Sequence, residues 1–421
     1  MLVTKENILR ELFSLERKGI NPGLDRIQYL MAQTNSPHKQ FPSIHIAGTN
    51  GKGTTASLIA SILKEAGYKT ALYTSPHIKE FNERIRINGN IISDNELIEL
   101  AQKYMLIGKS INATFFEITT AIAFDYFASQ NVDIAVIETG LGGRLDATNV
   151  IEPLLSIITS IDIEHTDYLG NTLEQIAFEK GGIIKPNRKT ILGDITQPAL
   201  NILLNICKER NNKVIKIDPF LQKTLEINQD YSINTLITTK NYSYNLITKL
   251  IGPHQLINHA IAVSAIEEIA NRFPVQLDKI QNGILNVAEN SGLRARIELI
   301  SKNPIVIIDT AHNPAAFKRL NETIKMIWRK DKFNLVFGAM SDKDKHSMLE
   351  NIKELICELV ITQPNSSRAA SCNQIAEIAQ MLNIKHQIIE NPQEAFNYCR
   401  SKKINTIVAG SFYLLADINY Y

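Results

Sequence analysis

The run Gly48-Thr49-Asn50-Gly51-Lys52-Gly53-Thr54-Thr55 separates a β-branched stretch, residues 43–47, from a segment with helical apolar spacing. Glycines between a strand and a helix let backbone N–H groups converge on phosphate oxygens, helped by the helix dipole. Lys52, with Gly51 and Gly53 on either side, is spaced to reach the outer phosphates of a nucleotide, and Thr54 to meet a magnesium ion. The loop is shorter than the common phosphate-binding pattern, and Gly53 separates Lys52 from the threonines, so a plain glycine-rich turn is the competing reading. Three further segments follow predicted strands: Thr74-Ser75-Pro76-His77, Glu138 through Asp146 (ETGLGGRLD), and Asp162 through Asp167 (DIEHTD). Ligands of open parallel sheets collect at the carboxyl ends of the strands. Ser75, Glu138 and His165 are therefore expected to bring a hydroxyl, a carboxylate and an imidazole to the phosphate loop. Magnesium prefers oxygen ligands, which leaves a structural histidine as the alternative for His165. Lys180, in FEKGGIIKP at a predicted helix end, is on composition alone a solvated lysine.

Positioning these groups requires an α/β scaffold. Residues 43–47, 69–74, 133–139 and 154–160 read as buried strands, and residues 54–66 and 116–129 as helices between them. Such alternation implies a mostly parallel sheet covered on both faces. Residues 222–250, with TLITTKNYSYNL, predict a hairpin or antiparallel extension at the sheet edge. After the polar stretch AENSGLRAR a second alternating series begins, with strands over 304–309, 332–337, 359–362 and 405–409. The predicted organisation is a phosphate-loop ATPase domain over 1–293 and a smaller Rossmann-like domain over 294–421. In the latter, Asp309 ends a strand, where it can accept ribose hydroxyls or cap the following helix. The opening MLVTKENILRELFSLERKG predicts an amphipathic helix without a signal-peptide core.

Composition narrows the function. With 45 Lys+Arg against 43 Asp+Glu, the formal charge of +2 offers no broad positive field for nucleic acid. No apolar run approaches the ~18–20 residues of a membrane span. The four cysteines lie far apart, without a CxxC pair, which argues against a structural zinc or disulfide scaffold and fits the cytoplasm. None has an evident activating partner. His45 and His77 read as structural or supporting groups, Trp328 as part of a helix face, and Ser411 and Phe412 as packing residues in a strand-to-helix turn.

HIAGTNGKGTT, TSPH, ETGLGGRLDATN, SIDIEHTDYLG, FEKGGIIK, GPHQLINHAIA and IDTAHNP occur in this order. Together they resemble the folylpolyglutamate and dihydrofolate synthases, ATP-dependent amide-forming members of the Mur-ligase superfamily, over about residues 20 to 415. The resemblance implies that Gly51, Lys52, Gly53 and Thr54 grip ATP and that Asn258, Arg296, Asp309 and His312 contact it from elsewhere. It implies Ser75, Glu138, His165 and Thr54 as ligands of two magnesium ions, and Lys180 as a carbamylated (N6-carboxylysine) side chain beside them. Phe116 and Glu117 match the pterin side of the substrate site, Arg144 is a further substrate residue, and Gly23 and Leu24 match an N-terminal substrate loop. Two departures stand out. Ala295 precedes Arg296 where the family usually has glycine, and INPGL replaces the family's IDLGL-like start.

The implied reaction joins L-glutamate to the carboxylate of dihydropteroate or a reduced folate through an acyl phosphate. Lys52 and magnesium would offset the repulsion between two anions. A monomer acting on small molecules is expected, without nucleic acid or membrane. A peptidoglycan-precursor ligase of the same superfamily is the nearest alternative. A nucleotide-switch protein is a more distant one, because no NKxD or TKxD segment occurs.

Overall fold

The computed structural model describes residues 4–15, 21–329 and 331–420. Strands β1 (Ser43–Ala47), β2 (Thr70–Tyr73), β3 (Ile85–Ile87), β4 (Asn90–Ile91), β5 (Ile134–Glu138), β6 (Leu155–Ile158), β7 (Lys189–Leu192) and β8 (Lys213–Lys216) form one sheet in the order β4-β3-β2-β5-β1-β6-β7-β8. From β2 to β8 the pairing is parallel, and β3 and β4 add an antiparallel edge. β1, β2, β5 and β6 are buried at every residue, which is why they read as mainly apolar runs with few polar residues. β1 lies between β5 and β6, so the strand order reverses there and a crevice opens beyond its carboxyl end.

The helix Lys52–Glu65 leaves that end and buries all ten residues from Thr54 to Leu63. It packs against the helices Pro253–Ile269 and Leu277–Leu285 in one apolar cluster with β1, β5 and β6. On the other sheet face the helix Phe115–Ser129 starts with a full capping box, Thr114 with Glu117, and carries Ile118, Ile122 and Phe124 into a second cluster.

The antiparallel segment does not extend the main sheet, as the sequence suggested. β9 (Lys223–Ile227), β10 (Ile233–Thr238) and β11 (Ser243–Thr248) form a separate three-stranded sheet. Residues along β10 and β11 alternate strictly in burial, giving a single apolar face. Ile237, Tyr244 and Leu246 on that face join the cluster of the helix Pro253–Ile269, while Ile233 joins the cluster of the last domain. A helix face satisfies it, so no main-sheet edge is needed.

The last sheet contains β12 (Glu298–Lys302), β13 (Ile305–Ile308), β14 (Phe333–Phe337), β15 (Ile356–Ile361), β16 (His386–Ile388) and β17 (Thr406–Ala409), ordered β12-β13-β17-β14-β15-β16. All neighbours are parallel except the β12–β13 hairpin. The predicted opening helix is present as Lys5–Ser14, capped by Thr4; its first three and last four expected residues lie outside the described ones. No helix among the described residues is long and apolar enough to cross a membrane.

Candidate active site

At the carboxyl end of β1 the chain turns through Gly51, whose φ of 88° suits glycine, and enters the helix Lys52–Glu65. A Cβ at Gly51 would lie 2.6 Å from Asn258 Oδ1, so the loop is seated directly on the helix Pro253–Ile269. Asn258 is held by Gln255 Oε1, to which its Nδ2 donates at 2.8 Å. Lys52 Nζ folds back to donate to the carbonyls of Gly48 (3.0 Å) and Thr49 (3.2 Å). Those bonds are the ones a polyanion in the loop would replace.

Glu138, the last residue of β5, faces this loop and is only 3% exposed. It accepts the Ser75 amide at 3.1 Å. A Cβ placed on Gly53 would sit 3.4 Å from Glu138 Oε2 and 3.7 Å from Arg296 Nη2, so three distant parts of the chain meet at one point. Burial pushes the Glu138 carboxyl above its ordinary range, against the pull of Lys52, Arg296 and Arg84. A buried carboxylate with few compensating partners, beside the hydroxyl residues Ser75 and Thr54, is a donor set for a hard cation. Among the described residues no three His, Cys, Asp or Glu side chains form a metal cage. Hydroxyls, phosphates and water must therefore complete any such shell, as they do for magnesium.

Gly53→Ala tests the space between these groups. Alanine improves helix propensity by up to about 1 kcal/mol, so stability is expected to hold or rise. The methyl nevertheless occupies the space between Glu138 and Arg296, at van der Waals contact with both, where a phosphate would enter. Nucleotide-dependent turnover should fall about a hundredfold, read as kcat/KM against a thermal melt of the same protein.

Lys180 is not a solvated lysine. It is 2% exposed, and its Nζ donates to Glu164 Oε1 at 2.7 Å and Gly48 O at 2.9 Å. Burial pulls the ammonium below its ordinary pKa despite Glu164. Burial alone would raise the Glu164 carboxyl, but Lys180 and Lys52 reverse this and bring it down to about 2. His165 follows at φ 49° and opens the short helix Thr166–Leu169. Desolvation lowers its imidazole, with Lys343, Lys180 and Lys52 adding to the effect, so the ring is held neutral and able to ligate.

The last domain supplies the facing wall. Arg296 Nη1 donates to Ala295 O at 3.2 Å and to the Thr310 hydroxyl, and its guanidinium lies 5.6 Å from the Phe412 ring centroid. His312 sits 5.7 Å from the same ring and bonds Thr310 O through Nδ1 at 2.8 Å. Desolvation lowers the His312 imidazole to about 4. Phe412 thus does more than pack, since it seats both residues. Asp309 is not the helix cap; Asn313 caps the helix Pro314–Trp328. Asp309 instead accepts the amides of Ala311 (2.6 Å) and Ile297 (2.7 Å). Ala295 adopts φ 53°, so the turn that glycine would favour is retained without glycine, and Ile297 follows at φ 51°. Left-handed conformations cost non-glycine residues about 1–2 kcal/mol each. Asn313 Nδ2 also meets Asn50 Oδ1 at 3.4 Å across the cleft.

The tip of the Phe116 ring abuts Gly140, where a Cβ would be 2.3 Å from Cζ, and the ring lies 6.1 Å from that of Tyr73. Both Glu117 oxygens are engaged, by Arg26 Nε at 3.0 Å and by the Thr114 amide and hydroxyl. Arg26 also donates to Asn21 O and so ties the segment containing Gly23 and Leu24 to Glu117. Arg144 pairs with Glu179 at 2.8 Å over the Phe178 ring. Gly140→Ala forces the Phe116 ring aside. We expect about a tenfold rise in KM for the aromatic substrate, near ~1.4 kcal/mol, with the nucleotide KM unchanged.

Sequence reasoning missed Glu164, Arg26 and Asp146. Asp146 Oδ2 accepts the amides of Gly140 and Leu141, fixing the loop after Glu138. For Glu164 and Asp146 the available signal was a carboxylate in a histidine-bearing or glycine-rich segment, and nothing in the sequence marked Arg26. His45 (bonded to Thr148) and His77 (accepting from Arg84 Nε at 2.8 Å) are supporting groups, as expected.

A nucleotide loop at a strand switch point, closed over by a second α/β domain, is the plan of the Mur ligases. Residues 46–266 match the Mur ligase middle domain, and residues 295–411 the Mur ligase glutamate ligase domain. The dihydrofolate synthase/folylpolyglutamate synthase of Bacillus subtilis is 34% identical over 417 residues, 95% of each chain. The chain belongs to that family of Mur ligases. The Mycobacterium tuberculosis folylpolyglutamate synthase, solved with ADP and AMPPCP, superposes with a TM-score of 0.87 at 28% identity over 97% of each chain. Escherichia coli FolC, solved with DHPP and ADP, gives 0.86 at 27% identity, covering 99% of this chain and 96% of that one.

Proposed function

We propose that this enzyme uses ATP to join L-glutamate to a pterin-bearing carboxylate, acting on both dihydropteroate and reduced folates. The observation that carries this reading is the meeting of Gly53, Glu138 and Arg296 at the end of β1. The names of the relatives and the nucleotide and DHPP in their structures support it. Attack of the substrate carboxylate on the terminal phosphorus gives an acyl phosphate and ADP. The glutamate amine then displaces phosphate. Lys52 turns from the loop carbonyls to the phosphates, Arg296 approaches the same oxygens from the second domain, and Asn258, Asp309 and His312 line the nucleoside side. Closure of the cleft excludes water from the acyl phosphate. Phe116 and Arg144 line the pterin side, with Gly23 and Leu24 in the loop above; Glu117 works through Arg26.

Thr54, Ser75 and Glu138, which meet beside Gly53, would hold one magnesium ion, and His165, next to Glu164, is the ligand proposed for a second. When bound, magnesium supplies charge neutralisation along the phosphates. Lys180 is proposed to carry a carbamate: it is buried where an ammonium is disfavoured, beside the Gly48 carbonyl of the phosphate loop, and Glu164, which accepts its Nζ at 2.7 Å, would turn away from the new anion. We propose further that the enzyme acts as a monomer in the cytoplasm.

Purified protein with ATP, Mg²⁺ and labelled glutamate should incorporate label with dihydropteroate and with tetrahydrofolate. ADP should form only when pterin and glutamate are both present. Hydrolysis indifferent to either substrate would overturn the reading.

A further inference from the structure

We propose that Glu298 is a positioning residue for nucleotide use: it braces the strained turn that presents Arg296 to the phosphate site. Three observations place it there. Ala295 and Ile297, on either side of Arg296, both adopt positive φ, 53° and 51°, without being glycine. Each of the two strained residues gives its amide to a carboxylate: Ala295 N to Glu298 Oε2 at 2.7 Å, and Ile297 N to Asp309 Oδ2 at 2.7 Å. Glu298 is itself fixed by Arg294, whose Nε and Nη2 both reach Oε1 at 2.9 and 2.5 Å. A turn that relaxed would give up both of these amide bonds and leave their donors to be satisfied elsewhere. The brace therefore opposes relaxation of the turn, which would swing the guanidinium away from Glu138 and Gly53. Ala295 is fully buried, so the turn cannot relax simply by moving its methyl into solvent.

The inference rests on Arg296 serving the nucleotide, and a double-mutant cycle separates the two ideas. Glu298→Ala is expected to raise the ATP KM about tenfold, equivalent to ~1.4 kcal/mol, with the KM of the pterin substrate unchanged. Glu298→Gln retains an acceptor for the Ala295 amide and should stay within about twofold of the parent. Ala295→Gly holds the left-handed conformation without a brace. Placed in the Glu298→Ala protein, it should restore most of the lost ATP affinity and recover part of the lost melting temperature. Ala295→Gly alone should hold or slightly raise the melting temperature, since relief of the left-handed cost offsets the lost methyl, and leave the ATP KM unchanged. A melting gain no larger in the Glu298→Ala protein than in the parent, with no recovery of ATP KM, overturns the brace. Arg296→Ala serves as reference. If it leaves the ATP KM unchanged, the nucleotide role of Arg296 fails, while the melting cycle still decides whether Glu298 holds the turn.

Discussion

Replacing Glu138 by glutamine should lower ATP- and Mg²⁺-dependent glutamate addition by about a thousandfold, while raising the melting temperature of the nucleotide-free protein. The two effects share one cause. The carboxylate is 3% exposed, and burial raises its pKa above that of the unfolded chain. A carboxyl that binds its proton more tightly when folded opposes folding once it is charged. This penalty is absent below the unfolded pKa of about 4.5 and is full above the folded one. Glu138→Gln should therefore stabilise the protein more at pH 8 than at pH 4, as thermal melts at the two values would show. Glutamine can still accept the Ser75 amide, so the loop is retained. What is lost is the negative charge that a cation and the phosphate loop require. Retained turnover with unchanged Mg²⁺ dependence would contradict this role.

The second large effect concerns Lys180. Lys180→Met removes the amine but keeps the chain length, and activity should fall by about two to three orders of magnitude. It also strands Glu164 without its partner. Breaking a buried pair costs about 3–5 kcal/mol, so the variant should melt well below the parent. Adding Glu164→Gln should restore stability without restoring activity, which separates the fold effect from the chemistry. The pair also predicts acid behaviour. The Glu164 carboxyl is held down at about 2, so its contribution is full above the unfolded value near 4.5 and is lost as the pH falls toward 2. If carbamylation supplies the active form, stripping CO₂ and bicarbonate should lower wild-type activity reversibly, and intact-protein mass spectra should lose the mass of one CO₂ in step. Full turnover by the Lys180→Met protein would remove the residue from the chemistry.

Much of this was readable in advance, for a definite reason. Strands buried on both faces are written as short, mainly apolar runs free of charges until their last residue, so β1, β2, β5 and β6 and the loops after them could be placed to within a residue or two. The functional loops sit at strand ends, and strand ends were the best-determined points. β12 escaped because it is only partly buried and carries polar residues throughout, and β16 because it spans three half-exposed or exposed residues. The three-stranded sheet was seen but misplaced, since alternation reveals an apolar face and not what covers it. The same limit applies to side chains. The spacing of Asp309 allows a helix cap or a nucleotide contact, and only the fold shows it holding the Ile297 and Ala311 amides while Asn313 takes the cap. Lys180 looked ordinary because burial of a lysine near a helix end depends on Gly48 and Glu164, residues far from it in sequence or on another loop.

The most direct measurement is a crystal of the enzyme with AMPPCP and Mn²⁺, with anomalous diffraction recorded at the manganese edge. The account predicts two peaks, one bounded by Glu138, Ser75, Thr54 and the outer phosphates and a second beside His165, with Lys52 moved from the Gly48 and Thr49 carbonyls onto the nucleotide. A triphosphate lodged elsewhere, or manganese remote from a Glu138 that still contacts only the Ser75 amide, would contradict it.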